Sequence, residues 1–377
     1  MKVIIIGAST SGLFAAYLLA KGGIEVEVYE RMNALGSPSR TLIVTGKMNE
    51  ILGFIPEEAI TNKVEYLEVF SKERSARVAL RCPDLIIERS KLIGLLARMA
   101  ATSGAKIILQ HKFQAYVKSG KKILVRFQDL ASTKERQIGA DMLVGADGTA
   151  SDVSLAASRN GHGRAALLQA RVHMPDFFRE DTCKVWFLAH QTKYFFWLIP
   201  ESKHVAAVGL IAEDGDRAKA NLMTFLHSHR LEPFEFQSAS VPMYRFEYPG
   251  DELGPNRNIF LVGDAAAQVK TTTVGGVVTG LHGARALAKA ILNEKNCRQE
   301  VSNLRLELNL HLLVRHVLNR FNNQNYDELV AMLQGGLKEL IEKWPRDELS
   351  RFFMRMIWKE PRLITLGAKA LLRSIYH

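Results

Sequence analysis

The chain has 377 residues, of which 47% are hydrophobic and 24% are charged, and its formal net charge is +11. This composition is typical of a globular protein long enough for two domains, and no apolar run is long enough to predict a membrane-spanning helix. No cleavable signal peptide, metal-ligand spacing or nucleic-acid-binding motif is found, and the three cysteines are scattered, so we expect a cytoplasmic protein without metal or nucleic acid.

The first thirty residues predict a βαβ unit. Strand Lys2–Ile6 runs into a small-residue turn at residues 7–12, a helix follows, and a second strand, Glu25–Tyr29, ends at Glu30. The glycine that opens the turn permits its tight geometry, and the glycine that closes it lets the helix pack closely on the sheet. The helix N-terminus would offer backbone N–H groups and a partial positive charge to a pyrophosphate. We therefore predict that the unit binds a dinucleotide.

Four positions are predicted to hold the ADP half of this ligand. Gly7 and Gly12 supply the turn, and Ser9 replaces the middle glycine of the G-x-G-x-x-G fingerprint, where serine is the least intrusive substitute. Glu30 is placed so that its carboxylate can accept hydrogen bonds from both ribose hydroxyls of an adenosine.

Strand and helix patterns continue along the chain after residues 32–45, which are predicted to be irregular. Further strands are predicted at residues 64–70, 77–80, 106–109, 113–117, 123–127, 142–145, 170–173, 184–189, 194–199, 205–211 and 259–262. Helices are predicted at residues 86–103, 216–229 and 277–293 and through residues 298–377, with breaks at Pro345 and Pro361.

Two later strands also end in small residues with an aspartate. Residues that follow a strand end lie where open α/β sheets bind ligands. The candidate ligand-binding residues are Asp147 and Gly148 after the first of these strands, and Gly263, Asp264, Gly275 and Gly276 after the second. The second loop leads into a helix N-terminus, which can stabilise negative charge on a reduced flavin.

Residues 7–30, 145–148 and 263–276 together resemble the FAD-dependent enzymes built like aromatic hydroxylases. Within that group the chain resembles the geranylgeranyl reductase family, whose substrate-cavity motif is Tyr-x-Trp-x-Phe-Pro followed by a glycine. The matching residues here are Phe195, Trp197, Pro200 and Gly209. The resemblance implies FAD as cofactor and places these residues at an apolar substrate cavity, whereas the sequence pattern alone favours a core position for Trp197.

The resemblance also implies cofactor contacts beyond the ADP half. Asp147, Gly148 and Asp264 would hold the ribitol and pyrophosphate, and Gly263 is also assigned to the cofactor site. Gly275 and Gly276 would approach the isoalloxazine, and Arg40 would lie near the flavin. Arg89 would contact the cofactor, the alternative being a solvated arginine in the first turn of a helix. Arg89 begins a helix, where a cation is otherwise disfavoured. Arg31 would either stack on adenine or face solvent.

The sequence departs from the family pattern near the flavin. Thr41 stands after Arg40 where the family often has cysteine, and Thr271 and Val274 stand where proline and glycine are common. A neutral hydroxyl is a poor general acid, so the catalytic proton donor is left unassigned.

The predicted fold class is α/β, with an α+β second domain. A Rossmann-type FAD-binding domain would comprise residues 1–155 and 256–296, with residues 40–85 contributing to the substrate side. An inserted antiparallel β-sheet domain, residues 156–255, would bind substrate, and residues 297–377 would form a helical C-terminal region.

The resemblance implies an FAD-dependent oxidoreductase that reduces isolated C=C bonds of a polyprenyl or lipid-like substrate. NAD(P)H or a small redox protein would supply the electrons. Two alternatives stay open: a flavin monooxygenase acting on an apolar or aromatic substrate, and a non-redox lipid cyclase or binding protein that retains FAD.

The C-terminal residues 344–377 interleave large apolar and basic side chains. The apolar members are Phe352, Phe353, Ile357, Trp358, Leu363, Leu366, Leu371, Leu372 and Ile375. Such a basic amphipathic segment can lie on the inner face of a membrane, or it can pack on the rest of the protein with its charges solvated.

Overall fold

The structure is a computed structural model that describes residues 1–157, 163–175, 177–246, 258–293, 297–343 and 349–373. It confirms the predicted fold class. Within these residues a five-stranded parallel sheet of Rossmann type, a mainly antiparallel eight-stranded sheet and a three-stranded antiparallel sheet are joined by helices.

The strands and helices have the following bounds. The strands are β1 (Lys2–Ile6), β2 (Glu25–Tyr29), β3 (Thr41–Val44), β4 (Ile60–Phe70), β5 (Ser75–Glu88), β6 (Lys106–Ile108), β7 (His111–Ser119), β8 (Lys122–Asp129), β9 (Glu135–Ala140), β10 (Met142–Gly145), β11 (Arg164–His173), β12 (Thr182–Trp186), β13 (Phe196–Pro200), β14 (Val205–Ala212), β15 (Pro233–Pro242) and β16 (Ile259–Leu261). The helices are α1 (Thr10–Lys21), α2 (Lys47–Leu52), α3 (Arg89–Thr102), α4 (Asp152–Ala156), α5 (Gly215–Ser228), α6 (Val277–Ile291), α7 (Cys297–Leu318), α8 (Asn323–Leu333), α9 (Gly336–Lys343), α10 (Leu349–Lys359) and α11 (Arg362–Arg373).

The parallel sheet has the strand order β16-β10-β1-β2-β6. The three central strands of the site, β1, β10 and β16, are short and mainly apolar, as expected of a sheet covered on both faces. Helices α1, α3 and α6 join the core on one of these faces. Ile6 pairs with Gly145, which in turn pairs with Leu261. Because the three strands are parallel, the turns that follow them meet at one edge of the sheet.

The eight-stranded sheet has the order β15-β11-β14-β13-β12-β4-β5-β3. It therefore joins strands from residues 41–88 to strands from residues 164–242. One of its strands, β3, lies in the stretch predicted to be irregular, and that prediction is wrong for residues 41–44. Thr41 pairs with Glu88 and Val44 with Leu85, so tertiary pairing makes a strand of a segment too short to show a pattern.

The helix predicted at residues 86–103 is wrong at its start. Ile86 and Ile87 continue β5, where they pair with β3 and β4. The helix begins at Arg89, because the Glu88 carboxylate caps it by accepting a hydrogen bond from the backbone N–H of Lys91 at 3.0 Å. The prediction failed because the apolar residues at the buried end of β5 continue the spacing of apolar residues in the helix that follows.

The C-terminal helices pack against the far end of the eight-stranded sheet. Val330, Leu337 and Leu366 share a core with Val69 and Ala76 of β4 and β5. The break predicted at Pro345 and the domain boundary between residues 255 and 256 lie outside the described residues, as do Trp344 and Ile375. The domain boundaries stay predictions.

An ion-pair cluster joins α6 to α7. The Glu300 carboxylate accepts hydrogen bonds from Lys289 Nζ and, at 3.0 Å, from Arg285 Nε, and the Glu300 side chain is 16% exposed. Burial opposes ionisation of Glu300, but the hydrogen bond from Lys289 and the charge of Arg285 outweigh it and hold the pKa of the carboxyl below its usual value.

Replacement of Glu300 by glutamine is expected to lower the free energy of unfolding by about 1.5–3 kcal/mol at pH 7, the usual contribution of hydrogen bonds to a charged group. A carboxyl with a lowered folded-state pKa stabilises above its unfolded pKa of about 4.3 and loses that contribution as the pH falls through the folded value. Urea unfolding should therefore show a difference that shrinks below about pH 4. Glu25→Gln, at an exposed ion pair with Lys2, is the control and should change little.

Candidate flavin and substrate site

Two cavities meet at the edge of the parallel sheet where β1, β10 and β16 end. The smaller has a volume of about 300 Å³ and lies over the turns after β1, β2 and β10. The larger, of about 500 Å³, lies between those turns and the eight-stranded sheet. Ser9, Arg89, Ala146 and Gly148 line both, so the two cavities form one elongated site.

The turn after β1 and the Glu30 side chain hold each other in place. The Glu30 carboxylate accepts hydrogen bonds from the backbone N–H of Ala8 at 2.8 Å and of Met32 at 3.0 Å. Each oxygen keeps a lone pair for a further donor such as a ribose hydroxyl. Ser9 caps α1 by accepting from the Gly12 N–H at 3.2 Å, and it lines both cavities. Arg31 is exposed at the rim of the smaller cavity.

Three of the predicted glycines permit close packing around the first turn. Gly7 has a φ of +98°, and a Cβ there would lie 2.5 Å from the carbonyl oxygen of Ala146. A Cβ on Gly12 would overlap the Gly7 carbonyl oxygen, and one on Gly263 would lie 2.7 Å from Ser11 Oγ. Gly12 and Gly263 do not line either cavity; they allow α1 to approach the sheet and the turn after β16.

Asp147 and Gly148 lie where the two cavities join. The Asp147 carboxylate accepts hydrogen bonds from Ser151 Oγ at 2.5 Å and from the Val153 N–H at 3.2 Å, so it also fixes the start of α4. Burial raises the pKa of Asp147, and the hydrogen bonds, which lower it, offset only part of this effect. Gly148 has a φ of +83° and open space where a Cβ would lie, which leaves its backbone accessible to a ligand.

A charged cluster of two arginines and one aspartate crosses the larger cavity. Burial lowers the pKa of both Arg40 and Arg89, and burial raises the pKa of Asp264, while the charges of the two arginines act on Asp264 in the opposite sense. Desolvated charges of this kind mark a site built for a charged or strongly polar ligand. The loop carrying Arg40 is fixed because the Arg40 N–H donates to Glu88 at 3.0 Å.

The loop between β16 and α6 forms the floor of the larger cavity. Lys270 and Gly275 pair across it, and Gly275 and Gly276 face the cavity at the start of α6. Val274 adopts a φ of +55°, a conformation that costs a β-branched residue about 1–2 kcal/mol. The two departures from the family pattern differ here: Val274 lines the cavity, whereas Thr271 is fully buried beneath it.

The inner face of the eight-stranded sheet forms an apolar wall. Phe195 and Trp197 line it together with Leu67, Val69, Val185, Ile199, Ile211 and Val241. Pro200 and Gly209 do not line the cavity. A Cβ on Gly209 would lie 2.5 Å from Trp197 Cζ2 and 2.6 Å from Gln169 Cβ, so Gly209 makes room for the indole of Trp197.

Sequence reasoning missed several polar residues that line this cavity, and four of them come from separate elements. Gln169 and Cys183 come from strands of the sheet, Lys270 from the loop before α6, and His311 from α7. No local pattern marks the first three, since only the sheet register and the loop turn them inward. For His311, its spacing of four residues from Glu307 on one helix was a readable signal.

The residues around the two cavities fit an FAD. Buried donor atoms without a hydrogen-bond partner among the described residues include Arg40 Nε and Trp197 Nε1, both on residues that line the larger cavity. Buried polar groups are nearly always satisfied, so orphaned donors indicate a ligand with acceptor atoms. In the same described part of the chain, no cluster of three or more histidine, cysteine, aspartate or glutamate side chains is arranged for a metal ion.

Comparison with known proteins supports this fit. Residues 1–300 match the family model described as FAD binding domain. Digeranylgeranylglycerophospholipid reductase 1 of Methanothermobacter thermautotrophicus is 26% identical over 376 residues, which cover 89% of this chain and 90% of that protein. Geranylgeranyl diphosphate reductase of Synechocystis sp. is 24% identical over 321 residues, covering 80% of this chain and 77% of that protein.

Solved structures share the fold. A geranylgeranyl bacteriochlorophyll reductase-like protein from Thermoplasma acidophilum superposes with a TM-score of 0.79, 18% identity and 98% coverage of both chains. A putative FAD-containing monooxygenase from Photorhabdus luminescens has a TM-score of 0.62, 18% identity and covers 85% of this chain and 98% of its own. These likenesses concern the fold alone. The family match confirms the FAD resemblance carried by the glycine turns: the chain belongs to the FAD-binding-domain family and is a flavoenzyme of the geranylgeranyl reductase type.

Proposed function

We propose that the protein reduces isolated C=C bonds of a polyprenyl or similar lipid. The observation that carries this proposal is the cavity of about 500 Å³, whose sheet wall is apolar and which opens directly onto Arg40, Asp264 and Gly275. Transfer of an extended hydrocarbon chain from water to such a wall would be favourable, because it buries apolar surface. The curated relatives are named for substrates with geranylgeranyl chains, which is consistent with this chemistry.

Each predicted site residue has a place in this proposal. FAD, when bound and reduced, would supply a hydride to one alkene carbon. Gly7, Ser9 and Glu30 would hold its ADP half, and Arg31 would border the adenine. Gly12 and Gly263 would act indirectly, by letting α1 approach the sheet and the turn after β16. Arg40, Arg89, Asp147, Gly148 and Asp264 would hold the middle, and Gly275 and Gly276 would border the isoalloxazine. Phe195 and Trp197 would hold the lipid, with Trp197 positioned by Gly209 and by the β13 backbone at Pro200, and the apolar wall would exclude water.

The test is anaerobic reoxidation of the photoreduced flavin by a geranylgeranyl lipid. We expect the visible spectrum of oxidised flavin to return on mixing and the lipid to gain two hydrogens per double bond by mass spectrometry. A saturated phytanyl lipid of the same head group is the control and should leave the flavin reduced. Failure of the unsaturated lipid to reoxidise the flavin would contradict the proposal and favour a lipid cyclase or binding protein.

A flavin monooxygenase is the second candidate, because the solved structure of a putative FAD-containing monooxygenase shares the fold. The two functions differ in how reduced enzyme reacts with oxygen. A long-lived flavin hydroperoxide absorbance in stopped flow would support the monooxygenase, and its absence together with anaerobic lipid reduction would support the reductase. NAD(P)H or a small redox protein is the proposed electron donor, and anaerobic bleaching of the flavin by each identifies which one acts.

We propose a membrane surface as the place where the lipid is taken up. None of the helices in the described ranges has the length and apolarity to cross a bilayer. On α10 and α11, Leu366 and Ala370 are buried, but Trp358, Ile364 and Leu372 are 86%, 57% and 57% exposed. One face of these helices therefore packs on the protein, and the apolar side chains displayed on the other face support the proposed membrane contact.

Replacement of Trp358 by alanine is expected to weaken binding to phosphatidylglycerol-containing vesicles about tenfold or more, since burying one large apolar side chain contributes about 1.5–3 kcal/mol. Lys359 and Arg362 pair with Glu339 and Glu360, so added salt should matter less than the loss of the indole. Vesicle co-sedimentation measures both effects. Phe177→Ala removes another exposed aromatic, 77% accessible, and should change nothing; equal loss in both variants would refute a specific surface.

A further inference from the structure

Reduction of an isolated C=C bond, the proposed function on which this inference rests, needs a proton as well as a hydride. The residue that supplies it must line the cavity, hold a proton near neutral pH and be able to regain one from solvent. Thr41, Cys183 and His311 are among the cavity-lining side chains that carry an O–H, S–H or N–H group. Their surroundings differ enough to choose among them.

Two of these residues are poorly suited to give up a proton into the cavity. Thr41 carries a neutral hydroxyl, which is a poor general acid, and this hydroxyl donates its hydrogen to the Glu201 carboxylate. Burial raises the pKa of the Cys183 thiol to about 12, because a thiolate there would be left in apolar surroundings.

His311 differs from both, because its imidazole lines the cavity and has a polar neighbour at each ring nitrogen. It is 5% exposed on α7, and its Nδ1 shares a hydrogen bond of 2.6 Å with the Thr272 hydroxyl. Its Nε2 lies 3.5 Å from a carboxylate oxygen of Glu307, one helical turn earlier. A hydroxyl can accept from a charged imidazolium and donate to a neutral imidazole, so Thr272 can hold the ring in both protonation states.

His311 also lies against the loop that borders the proposed isoalloxazine position. Thr272 belongs to the segment closed by the pairing of Lys270 with Gly275, and Gly275 and Gly276 begin α6. One hydrogen bond therefore connects the imidazole to the loop at the flavin, and the same imidazole lines the apolar cavity.

We propose that His311 is the general acid of the reaction, with Glu307 and Thr272 as its positioning residues. The alkene π bond breaks, one carbon forms a C–H bond with the hydride supplied by reduced FAD, and the other forms a C–H bond with the proton from His311. FAD ends oxidised by two electrons, and the imidazolium ends as neutral imidazole. The ring regains its proton from solvent, and the electron donor proposed above, NAD(P)H or a redox protein, restores the reduced flavin.

The rate of this step should fall as the pH rises and His311 loses its proton. The charged groups that bear on it are Glu307 and Arg315 on its own helix and Lys270 on the loop that lines the same cavity. Glu307 favours the imidazolium and the two cations oppose it. Arg315 is engaged elsewhere, since its Nη2 donates to the carbonyl of Lys193 and its guanidinium lies over the ring of Tyr194.

The experiment compares holoenzyme variants in anaerobic single turnovers with a geranylgeranyl lipid. His311→Gln should slow flavin reoxidation by about 100-fold or more and abolish the pH-dependent fall in rate. His316→Gln, an exposed histidine of the same helix, is the matched control and should behave as wild type. Added imidazole should partly restore the His311→Gln rate.

A second measurement separates an acid from a residue that only shapes the cavity. Lipid affinity of the oxidised enzyme, followed by tryptophan fluorescence, should stay within twofold of wild type in His311→Gln. Glu307→Gln keeps the side-chain shape but removes the negative charge that favours the imidazolium, so the fall in rate should move to lower pH. This variant tests the proposal even if His311→Gln does not fold. A shift to lower pH in Glu307→Gln supports the proposal, and an unchanged profile contradicts it.

Three outcomes would overturn the assignment while leaving the reductase function intact. The first is a His311→Gln rate within threefold of wild type, and the second is a loss of lipid affinity in that variant equal to its loss of rate. The third concerns Asp84, a buried carboxyl that lines the same cavity. It is a loss of the pH dependence in Asp84→Asn but not in His311→Gln. If wild type itself is not reoxidised by the lipid, the proposed function fails instead.

Discussion

Replacement of Gly12 by alanine is expected to abolish FAD retention and to lower the free energy of unfolding by about 1–3 kcal/mol, the usual effect of overpacking a close contact. The added Cβ would overlap the backbone carbonyl oxygen of Gly7 and lie 2.9 Å from Ala146 Cβ. Neither neighbour can rotate away, so α1 must move off the sheet and its N-terminus away from the pyrophosphate position. Absorbance of the purified protein near 450 nm and thermal unfolding measure the two effects.

The matched control for this prediction is Gly23→Ala, at the other end of α1. Gly23 has a φ of +82° but open space around it, so alanine there adds backbone strain of about 1–2 kcal/mol without a collision. We expect Gly23→Ala to lose some stability and to keep its flavin. If both variants retained FAD equally, close approach of α1 to the sheet would not be what positions the cofactor.

Replacement of Gly209 by alanine is expected to lower lipid affinity and turnover at least tenfold while FAD stays bound. The new Cβ would lie 2.5 Å from Trp197 Cζ2 and 2.6 Å from both Gln169 Cβ and the Leu168 carbonyl oxygen. Because the strand backbone is fixed by its neighbours on both sides, the indole must give way, and the free space beside it is the cavity. The free energy of unfolding should again fall by about 1–3 kcal/mol.

Titration of the oxidised holoenzyme with a geranylgeranyl lipid measures this effect, and the flavin spectrum reports cofactor content in the same sample. Gly139→Ala is the control, a strand glycine whose Cβ would make an ordinary contact of 3.7 Å with Leu124. It should leave lipid binding unchanged and stability equal or slightly higher. Normal lipid affinity in Gly209→Ala would show that Trp197 does not shape the substrate cavity.

Recognition of the cofactor family required only short-range information. The turn at residues 7–12, the acid at Glu30 and the junctions at Asp147 and Asp264 each follow a strand within a few residues, and each is readable as a local pattern. The structure adds the reason they act together: β1, β10 and β16 are adjacent and parallel, so their turns meet at one edge.

Errors in the sequence reading arose where an element depends on distant partners. β3 is four residues long and exists because it pairs with β5, and Ile86 and Ile87 belong to a strand whose apolar run continues into a helix pattern. Strand β15, which was not predicted, alternates half-buried and exposed residues over most of its length at the edge of the sheet and is defined by its pairing with β11.

The sequence by itself determined the cofactor class, the type of enzyme and the fold class, because the glycine turns and the motif around Trp197 are contiguous in the chain. Only the tertiary structure decided which side chains face the larger cavity. Gln169, Cys183 and His311 come from two strands and a helix far apart in sequence, and they meet because the eight-stranded sheet and α7 close over the same space. Local patterns report which way a residue faces along its own element, whereas the composition of a cavity depends on how separate elements pack.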